Sequence, residues 1–146
     1  MLDELDKHPA TVWVHDYHLA LLPALIRNAS PNTTICHFWH VPWPGPDVLR
    51  ILPERRELLE GLLAADCLTF QTMSSATAFA NCVTEFLDAS VSIDPLKALV
   101  LYRGRKTKIT ARAISVHFNL FSDLAQSGRS KTSWLGHGDV WAFHAG

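Results

Sequence analysis

The chain lacks the short motifs that mark several common enzyme classes. It has no glycine-rich phosphate loop, no G-x-S-x-G turn for a nucleophilic serine and no H-E-x-x-H helix for zinc. Nucleophilic and hydrolytic mechanisms of these kinds are therefore excluded, and an internal repeat or a low-complexity tract is missing as well.

A strong charge of one sign and a long apolar run are also missing. The formal net charge is −1, which indicates neither a nucleic-acid-binding surface nor an acidic tail. Pro23, Arg27 or Asp66 interrupts the apolar stretches before the roughly 20 residues that a membrane-spanning helix needs. The N-terminal segment MLDELDKH is acidic, whereas a signal peptide begins with basic residues. We expect a soluble cytoplasmic protein with no nucleic-acid or membrane partner.

Cysteine is scarce. Cys36, Cys67 and Cys82 make an odd number with no close pair along the chain, and two of them fall in predicted apolar strands. This pattern favours buried free thiols in a reducing compartment over a disulfide or a metal site.

What the sequence does contain is an alternation of short apolar strands with amphipathic helices. The strands are predicted over Val12–His15, Thr34–Trp39 and Cys67–Phe70. The helices are predicted over Leu19–Asn28, from Asp47 onward with a break at Pro53, and over Met73–Leu87 with Ser74 or Ser75 as N-cap. Met1–Pro9 has the pattern of a frayed helix. The alternation indicates an α/β fold with a parallel sheet and flanking helices.

The second half of the chain ends in a different pattern. Leu99–Tyr102 and Lys108–Val116 read as two strands around the polar turn Arg103–Lys106, which predicts a β-hairpin. This turn is the only basic cluster of the sequence. A solvated hairpin tip is favoured over a phosphate or nucleic-acid site, because no aromatic residue is interleaved with the basic ones.

Two polar residues follow predicted strands and are candidate binding residues. Asp16 follows the first strand, and His40 follows the second strand just before a stiff loop with three prolines. Ligands of open α/β sheets bind beyond the carboxyl ends of the strands, so the two side chains could share a cleft. Asp16 could instead cap a helix, and His40 could be a packed histidine.

Four histidines in these motifs raise the question of a zinc site: His15, His18, His37 and His40. Residues three apart in a strand point to opposite faces, so His37 and His40 should not bind one metal from regular strand positions. We therefore expect no metal site.

The strings VWVHDYHLALLPALIR, HFWHVPWP, ILPERRELLEGLLAAD and TFQT, in this order and spacing, closely resemble trehalose-6-phosphate synthases. The resemblance covers about Thr11 to Leu120. It implies part of the N-terminal, Rossmann-like acceptor-side domain of a retaining GT-B glycosyltransferase over residues 1–128, and leaves 129–146 as an irregular tail. The family transfers glucose from UDP-glucose to glucose-6-phosphate, so the implied partners are a nucleotide sugar and a sugar phosphate. No cofactor is implied, and a homo-oligomer stays open for a full-length protein.

Carried over by position, the resemblance implies that Asp16 contacts the acceptor glucose-6-phosphate and that His40 contacts the donor glucose. The chain departs from the family pattern at three positions. Thr69 replaces a glycine, Glu54 replaces a tryptophan, and His117 replaces an aspartate. These departures indicate a divergent subfamily.

The resemblance implies a fragment without the N-terminal glycine-rich turn and without the C-terminal domain that supplies the cations for the donor diphosphate. We therefore expect no turnover by this chain alone. Three alternatives stay open. They are a transferase with another phosphorylated acceptor, as in glucosylglycerol-phosphate synthases, an inactive sugar-phosphate-binding module, and a product that does not fold stably.

Overall fold

The computed structural model describes residues 10–94, 97–115, 117, 119–120 and 122–123. Contacts divide the chain into two units, Met1–Ala113 and Ile114–Gly146. All the helices and strands given below belong to the first unit. The described residues contain no helix long and apolar enough to span a membrane. The helix expected over Met1–Pro9 and the tail expected at 129–146 lie outside the described residues, so both stay predictions.

The first unit contains one mixed sheet of six strands. Their bounds are β1 Thr11–His15, β2 Thr34–Trp39, β3 Cys67–Phe70, β4 Ser90–Asp94, β5 Lys97–Tyr102 and β6 Arg105–Ala111. The spatial order is β1-β2-β3-β6-β5-β4. The pairs β1–β2, β2–β3 and β3–β6 are parallel. The pairs β6–β5 and β5–β4 are antiparallel. The α/β fold with a parallel sheet and a terminal hairpin is confirmed.

Four α-helices and one short 3-10 helix connect the strands. The α-helices are α1 Leu22–Ala29, α2 Pro46–Leu49, α3 Arg55–Leu62 and α4 Met73–Phe86, and the 3-10 helix is Tyr17–Leu19. The predicted break at Pro53 is confirmed, since α2 and α3 lie on either side of it. Helices α1 and α2 both have a proline in their first turn. Proline is favourable there because backbone N–H groups in the first turn have no hydrogen-bond partner within the helix.

The core lies on one face of the sheet. Leu68, Phe70 and Ile109 on the strands and Phe79 and Val83 on α4 are completely buried together. Side chains alternate along a strand, so the residues between the buried ones occupy the other face. Most side chains on that face are partly or fully exposed, among them Trp13 on the edge strand, which is 66% exposed, whereas Phe38 is buried there. The helices thus cover one face of the sheet and fix the positions of the strand ends.

Three local predictions were wrong. The second hairpin strand, β6, is Arg105–Ala111 instead of Lys108–Val116. It begins earlier because the turn consists of Arg103 and Gly104 alone, both with positive φ, as tight hairpin turns require. Strand β4 was not predicted, since SVSID is short and half polar. The N-cap of α4 is Thr72 instead of Ser74 or Ser75, and its hydroxyl accepts a hydrogen bond from the Ser75 N–H at 3.3 Å.

The prediction of buried cysteines holds only for Cys82. Cys36 and Cys67 are partly exposed, because their strands present them on the face away from the helices. All three are free thiols.

Candidate functional site

Four polar residues follow the carboxyl ends of the four parallel strands: Asp16, His40, Gln71 and Arg112. Because β1, β2, β3 and β6 run in one direction, these residues meet at a single edge of the sheet. Asp16 and His40 therefore lie at the same edge, on adjacent strands. Gln71 and Arg112 were not predicted as site residues. Gln71 directly follows the predicted strand Cys67–Phe70, which would have been the signal, whereas Arg112 fell inside the predicted strand Lys108–Val116 and reaches the strand end only because β6 stops at Ala111.

Asp16 adopts an unusual backbone conformation. Its φ of 66° and ψ of 174° fall in a region that is almost restricted to glycine. Its N–H donates to the carbonyl of Phe38 on the neighbouring strand at 2.8 Å, which holds the residue there. Such strain costs about 1–3 kcal/mol and is typical of functional positions.

The carboxylate of Asp16 is not used as a helix cap. Asp16 precedes the 3-10 helix but makes no capping hydrogen bond with its side chain, so the capping alternative is wrong. Its Oδ1 is buried and has no hydrogen-bond partner among the described residues, and Oδ2 lies 3.9 Å from Nδ1 of His18. The Asp16 side chain is 27% exposed, so the accessible part of its carboxylate can accept a hydrogen bond from a ligand hydroxyl, while Oδ1 is covered.

His40 is held from two sides. Its Nε2 lies 2.9 Å from Nδ1 of His15, and the side-chain amide of Gln71 donates to its carbonyl at 2.7 Å. In the histidine pair one nitrogen donates and the other accepts. When His15 donates, Nδ1 of His40 carries the hydrogen and can donate to a ligand. The simple packed-histidine alternative does not describe this residue, since a second histidine orients its ring.

Aromatic contacts also hold the rings of His15 and His40. The ring of His40 lies 4.6 Å from that of Phe38, and the ring of His15 stacks on Trp13 at 5.2 Å. These contacts limit the rotation of both imidazoles, so the free nitrogen of His40 has a defined direction.

A cavity of about 310 Å³ opens beside His40. It is bounded by the Pro-rich loop, by Gln71 and by the first residues of α4, including Thr72, Ser74 and Ser75. Hydroxyl groups and the N-terminal end of a 14-residue helix favour a polar or anionic group here. The cavity therefore suits a small polar ligand.

His37 lies beneath this edge and was overlooked as a site-associated residue. It is 1% exposed, and neither ring nitrogen has a hydrogen-bond partner among the described residues. Burial lowers the pKa of His37 to about 4, although the nearby backbone and carboxylate of Asp16 oppose the shift. The indole nitrogen of Trp39, two residues along the same strand, is also buried without a partner in the described part of the chain.

Across the described residues, groups of three or more histidine, cysteine, aspartate or glutamate side chains suited to a metal are missing. His37 lies on the covered face of β2, whereas the His15–His40 pair follows the other face and the strand end. The geometry therefore places His37 and His40 on different faces, as strand periodicity predicts.

Two of the departures from the family pattern have identifiable surroundings. Thr69 occupies β3, and its hydroxyl lies 3.1 Å from that of Thr110 on β6. Glu54 lines a second cavity of about 500 Å³ together with His18, Glu57 and several leucines. This second cavity is mainly apolar and adjoins the 3-10 helix that follows Asp16. His117 is exposed.

The basic hairpin turn is tied to the body of the unit. Arg103 forms an ion pair with Glu60 at 3.3 Å, and Arg105 forms one with Asp66 at 3.4 Å. These arginines therefore have carboxylate partners of their own, which disfavours a phosphate site at the turn.

Comparison with known sequences gives one family. The profile of glycosyltransferase family 20 matches residues 2–134. The chain is 37% identical over 116 residues to the UDP-forming alpha,alpha-trehalose-phosphate synthase of Candida albicans, covering 77% of this chain and 24% of that protein. It is 34% identical over 117 residues to the bifunctional trehalose-6-phosphate synthase/phosphatase of Thermoproteus tenax, covering 79% and 15%.

Solved structures agree with this result. The Burkholderia xenovorans alpha,alpha-trehalose-phosphate synthase in complex with glucose-6-phosphate matches with a TM-score of 0.77 and 29% identity, over 87% of this chain and 29% of that one. The Escherichia coli protein bound with UDP-2-fluoro glucose matches with a TM-score of 0.75 and 25% identity, over 92% and 30%. These neighbours are GT-B enzymes, which confirms the Rossmann-like fold expected here.

The chain thus spans about a quarter of the length of the first of these relatives. The family match covers most of the chain and includes all the residues of the strand-end site. The chain therefore belongs to glycosyltransferase family 20.

Proposed function

We propose that the chain carries part of the acceptor and donor sites of a UDP-forming trehalose-6-phosphate synthase. In this proposal Asp16 binds the acceptor glucose-6-phosphate and His40 binds the glucose of the donor UDP-glucose. One observation supports it above the others. The two residues follow adjacent parallel strands at one edge of the sheet, where His15 orients the ring of His40.

Asp16 contributes a fixed hydrogen-bond acceptor. Its Oδ1 is buried while the side chain is 27% exposed, so a sugar hydroxyl can donate to the accessible part of a carboxylate that is partly shielded from water. Hydrogen bonds to a charged group contribute about 1.5–3 kcal/mol. The strained backbone keeps the carboxylate in one direction, which reduces the entropy lost on binding.

His40 contributes a donor or an acceptor of fixed direction. With Nε2 engaged by His15, Nδ1 can meet a hydroxyl of the transferred glucose at the cavity that the ring lines. In a retaining transfer without a protein nucleophile, the protein acts through positioning and electrostatics. Holding two sugars beside one sheet edge is a contribution of this kind.

The ligands of two structural neighbours support the substrate class. One neighbour is in complex with glucose-6-phosphate and the other is bound with UDP-2-fluoro glucose. For this chain we propose the same two small molecules, with no further cofactor. The free thiols are consistent with a cytoplasmic location.

A second function, sugar-phosphate binding without turnover, has one observation in its favour. Among the described residues, the lining of the cavity beside His40 includes no arginine or lysine, and the net charge of the chain is −1. Diphosphate groups are usually bound by such cations. Binding and catalysis therefore need separate measurements.

Ligand binding to the chain tests the proposal. Glucose-6-phosphate and UDP-glucose are titrated separately into the isotope-labelled chain, and NMR shifts are followed at Asp16, His40 and Gln71. We expect Asp16→Asn to weaken glucose-6-phosphate binding about tenfold, as the loss of a charged hydrogen bond predicts. His40→Ala should weaken UDP-glucose binding to a similar degree.

Ser92→Ala is the control, because Ser92 lies on β4, the outermost strand on the side of the sheet opposite β1. It should change neither affinity. If both sugars leave the three resonances unshifted at millimolar concentration while the chain is folded, the site assignment is wrong.

A further inference from the structure

Two of the three cysteines, far apart in sequence, are direct neighbours in the sheet. Cys36 on β2 and Cys67 on β3 are register partners in the parallel pairing of these strands. Their chain neighbours Ile35, His37 and Leu68 are buried on the helix-covered face. Side-chain alternation therefore puts both thiols on the opposite face, side by side.

The spacing of the pair suits a covalent bond. Adjacent strands of a sheet lie about 4.8 Å apart, and disulfides join residues whose Cα atoms are roughly 4.4–6.8 Å apart. Both side chains are also partly exposed, so a small oxidant can reach them. Cys82, by contrast, is buried in the core and lies on helix α4.

The electrostatic environment agrees with close contact between the two groups. Burial raises the pKa of the Cys36 thiol, and the next contributions come from Cys67 and then Asp66. The Sγ of Cys67 lies 3.8 Å from the hydroxyl of Thr69. With Cys36 mainly in its thiol form at neutral pH, reaction should be faster in mildly alkaline solution, where more thiolate is present.

We propose that Cys36 and Cys67 form a reversible dithiol site, which a small-molecule disulfide of the glutathione class oxidises to an intrachain disulfide. The thiolate of one cysteine attacks a sulfur of the oxidant, forms a mixed disulfide and releases one thiol. The thiolate of the second cysteine then attacks the protein sulfur of the mixed disulfide and expels the second thiol. The protein loses two electrons and two protons, and the oxidant is reduced to two thiols.

The bond would join β2 to β3 below the ends that carry His40 and Gln71. These two residues are already linked by a hydrogen bond at 2.7 Å. The proposal does not depend on any substrate of the strand-end site, since it concerns the opposite half of the same strands.

Oxidation of the folded chain is the test. The chain is incubated with oxidised glutathione at mildly alkaline pH, and thiols are counted with the products mapped by mass spectrometry without reduction. We expect the count to fall from three free thiols to one, with a mass loss of about 2 Da for the two hydrogens. The peptides that contain Cys36 and Cys67 should be found joined.

Three variants define the outcome. Cys82→Ala should form the same bond, whereas Cys36→Ser and Cys67→Ser should stop at a single glutathione adduct. Circular dichroism before oxidation verifies that each variant is folded. A lasting adduct on the wild-type chain without ring closure, or a bond that involves Cys82 or a second chain, would overturn the proposal.

A second measurement does not depend on oxidation. Phenylarsine oxide binds two neighbouring thiols at once, and we expect one equivalent to bind the wild-type chain and the Cys82→Ala variant. Cys36→Ser and Cys67→Ser should lose stable binding when a monothiol competes. Equal binding by all four proteins would contradict the pairing.

Discussion

Asp16 combines two features that oppose stability: a backbone conformation suited to glycine and a buried carboxylate oxygen without a donor among the described residues. A residue chosen only for folding would avoid both. Strained backbone of this kind is typical of functional positions, so it supports the proposed acceptor contact of Asp16.

The strain at Asp16 leads to a stability prediction. Asp16→Gly should raise the free energy of unfolding by about 1 kcal/mol, because glycine adopts this conformation freely and no longer buries a carboxylate. Urea denaturation measures the change. Asp16→Asn keeps a side chain at the strained position and should bring a smaller gain. A lower free energy of unfolding for Asp16→Gly than for the wild type would contradict the interpretation that Asp16 is strained.

His37 predicts a pH dependence of stability. Its pKa is lowered by burial to about 4, from an ordinary value of 6.5. Between these values the unfolded chain binds more protons than the folded chain, so stability rises with pH. The contribution of neutral His37 is complete above pH 6.5 and is lost as the pH falls towards 4. The full loss corresponds to roughly 3 kcal/mol.

His37→Phe should remove this part of the pH dependence and keep a ring of similar size in the core. Urea unfolding at several pH values between 4 and 7 gives the two profiles. His18→Phe, the same change at an exposed histidine, is the matched control. Parallel profiles for the wild type and His37→Phe would show that His37 does not titrate in this way.

At the level of the elements, Asp66 joins three segments at the amino end of the sheet. Its Oδ2 accepts hydrogen bonds from Arg27 on α1 and from the N–H of Ile35 on β2, both at 2.8 Å. Its Oδ1 lies 3.4 Å from Arg105 on β6. The side chain of Arg27 is 11% exposed and also donates to the carbonyls of Pro31, Thr33 and Ala64. Asp66 thus connects helix α1 with strands β2 and β6.

Asp66→Ala should lower the free energy of unfolding by about 2–3 kcal/mol, since it leaves the buried Arg27 without its counter-charge. Glu85→Ala removes the partner of Arg50 in a pair whose side chains are 38% and 59% exposed, and it should cost at most about 1 kcal/mol. Thermal unfolding of both variants provides the comparison. Equal losses would show that burial does not distinguish these ion pairs.

Helix α3 approaches the turn after the 3-10 helix through Gly61. A Cβ at this position would lie 2.8 Å from Cδ2 of Leu21 and 3.1 Å from the carbonyl oxygen of Ala20. Gly61→Ala should therefore destabilise the fold by about 1–3 kcal/mol through overpacking, despite the better helix propensity of alanine.

Gly45→Ala is the control for this prediction. Its φ is −69°, and a Cβ there would meet nothing within 4 Å. The change should be neutral or slightly stabilising. Urea midpoints of the two variants measure the difference, and a harmless Gly61→Ala would mean that α3 can move away from the turn without cost.

At the level of the whole molecule, binding and catalysis should separate. We expect the 146-residue chain to release no UDP from UDP-glucose and glucose-6-phosphate. The described residues that line the cavity beside His40 include no arginine or lysine that could neutralise a diphosphate. A coupled UDP-release assay tests this, with the full-length Candida albicans relative as positive control. UDP release that requires this chain and both substrates would contradict the expectation.

The sequence by itself determined the parts that depend on local periodicity and short motifs. The strand–helix alternation gave the parallel sheet, because β1, β2 and β3 are apolar runs of four to six residues between amphipathic helices. The HDYH and H-x-P-x-P motifs gave Asp16 and His40, because each follows such a run directly. Parallel strand ends must meet at one edge, so their shared location was predictable too.

Only the tertiary structure decided the pairings between distant segments. The contact of His15 with His40 and the register of Cys36 with Cys67 depend on how β2 aligns with its neighbours, and local propensity does not encode that alignment. The positive φ of Asp16 depends likewise on the hydrogen bond that its N–H donates to the carbonyl of Phe38 on the next strand. The lowered pKa of His37 follows from burial, which is a property of the assembled core.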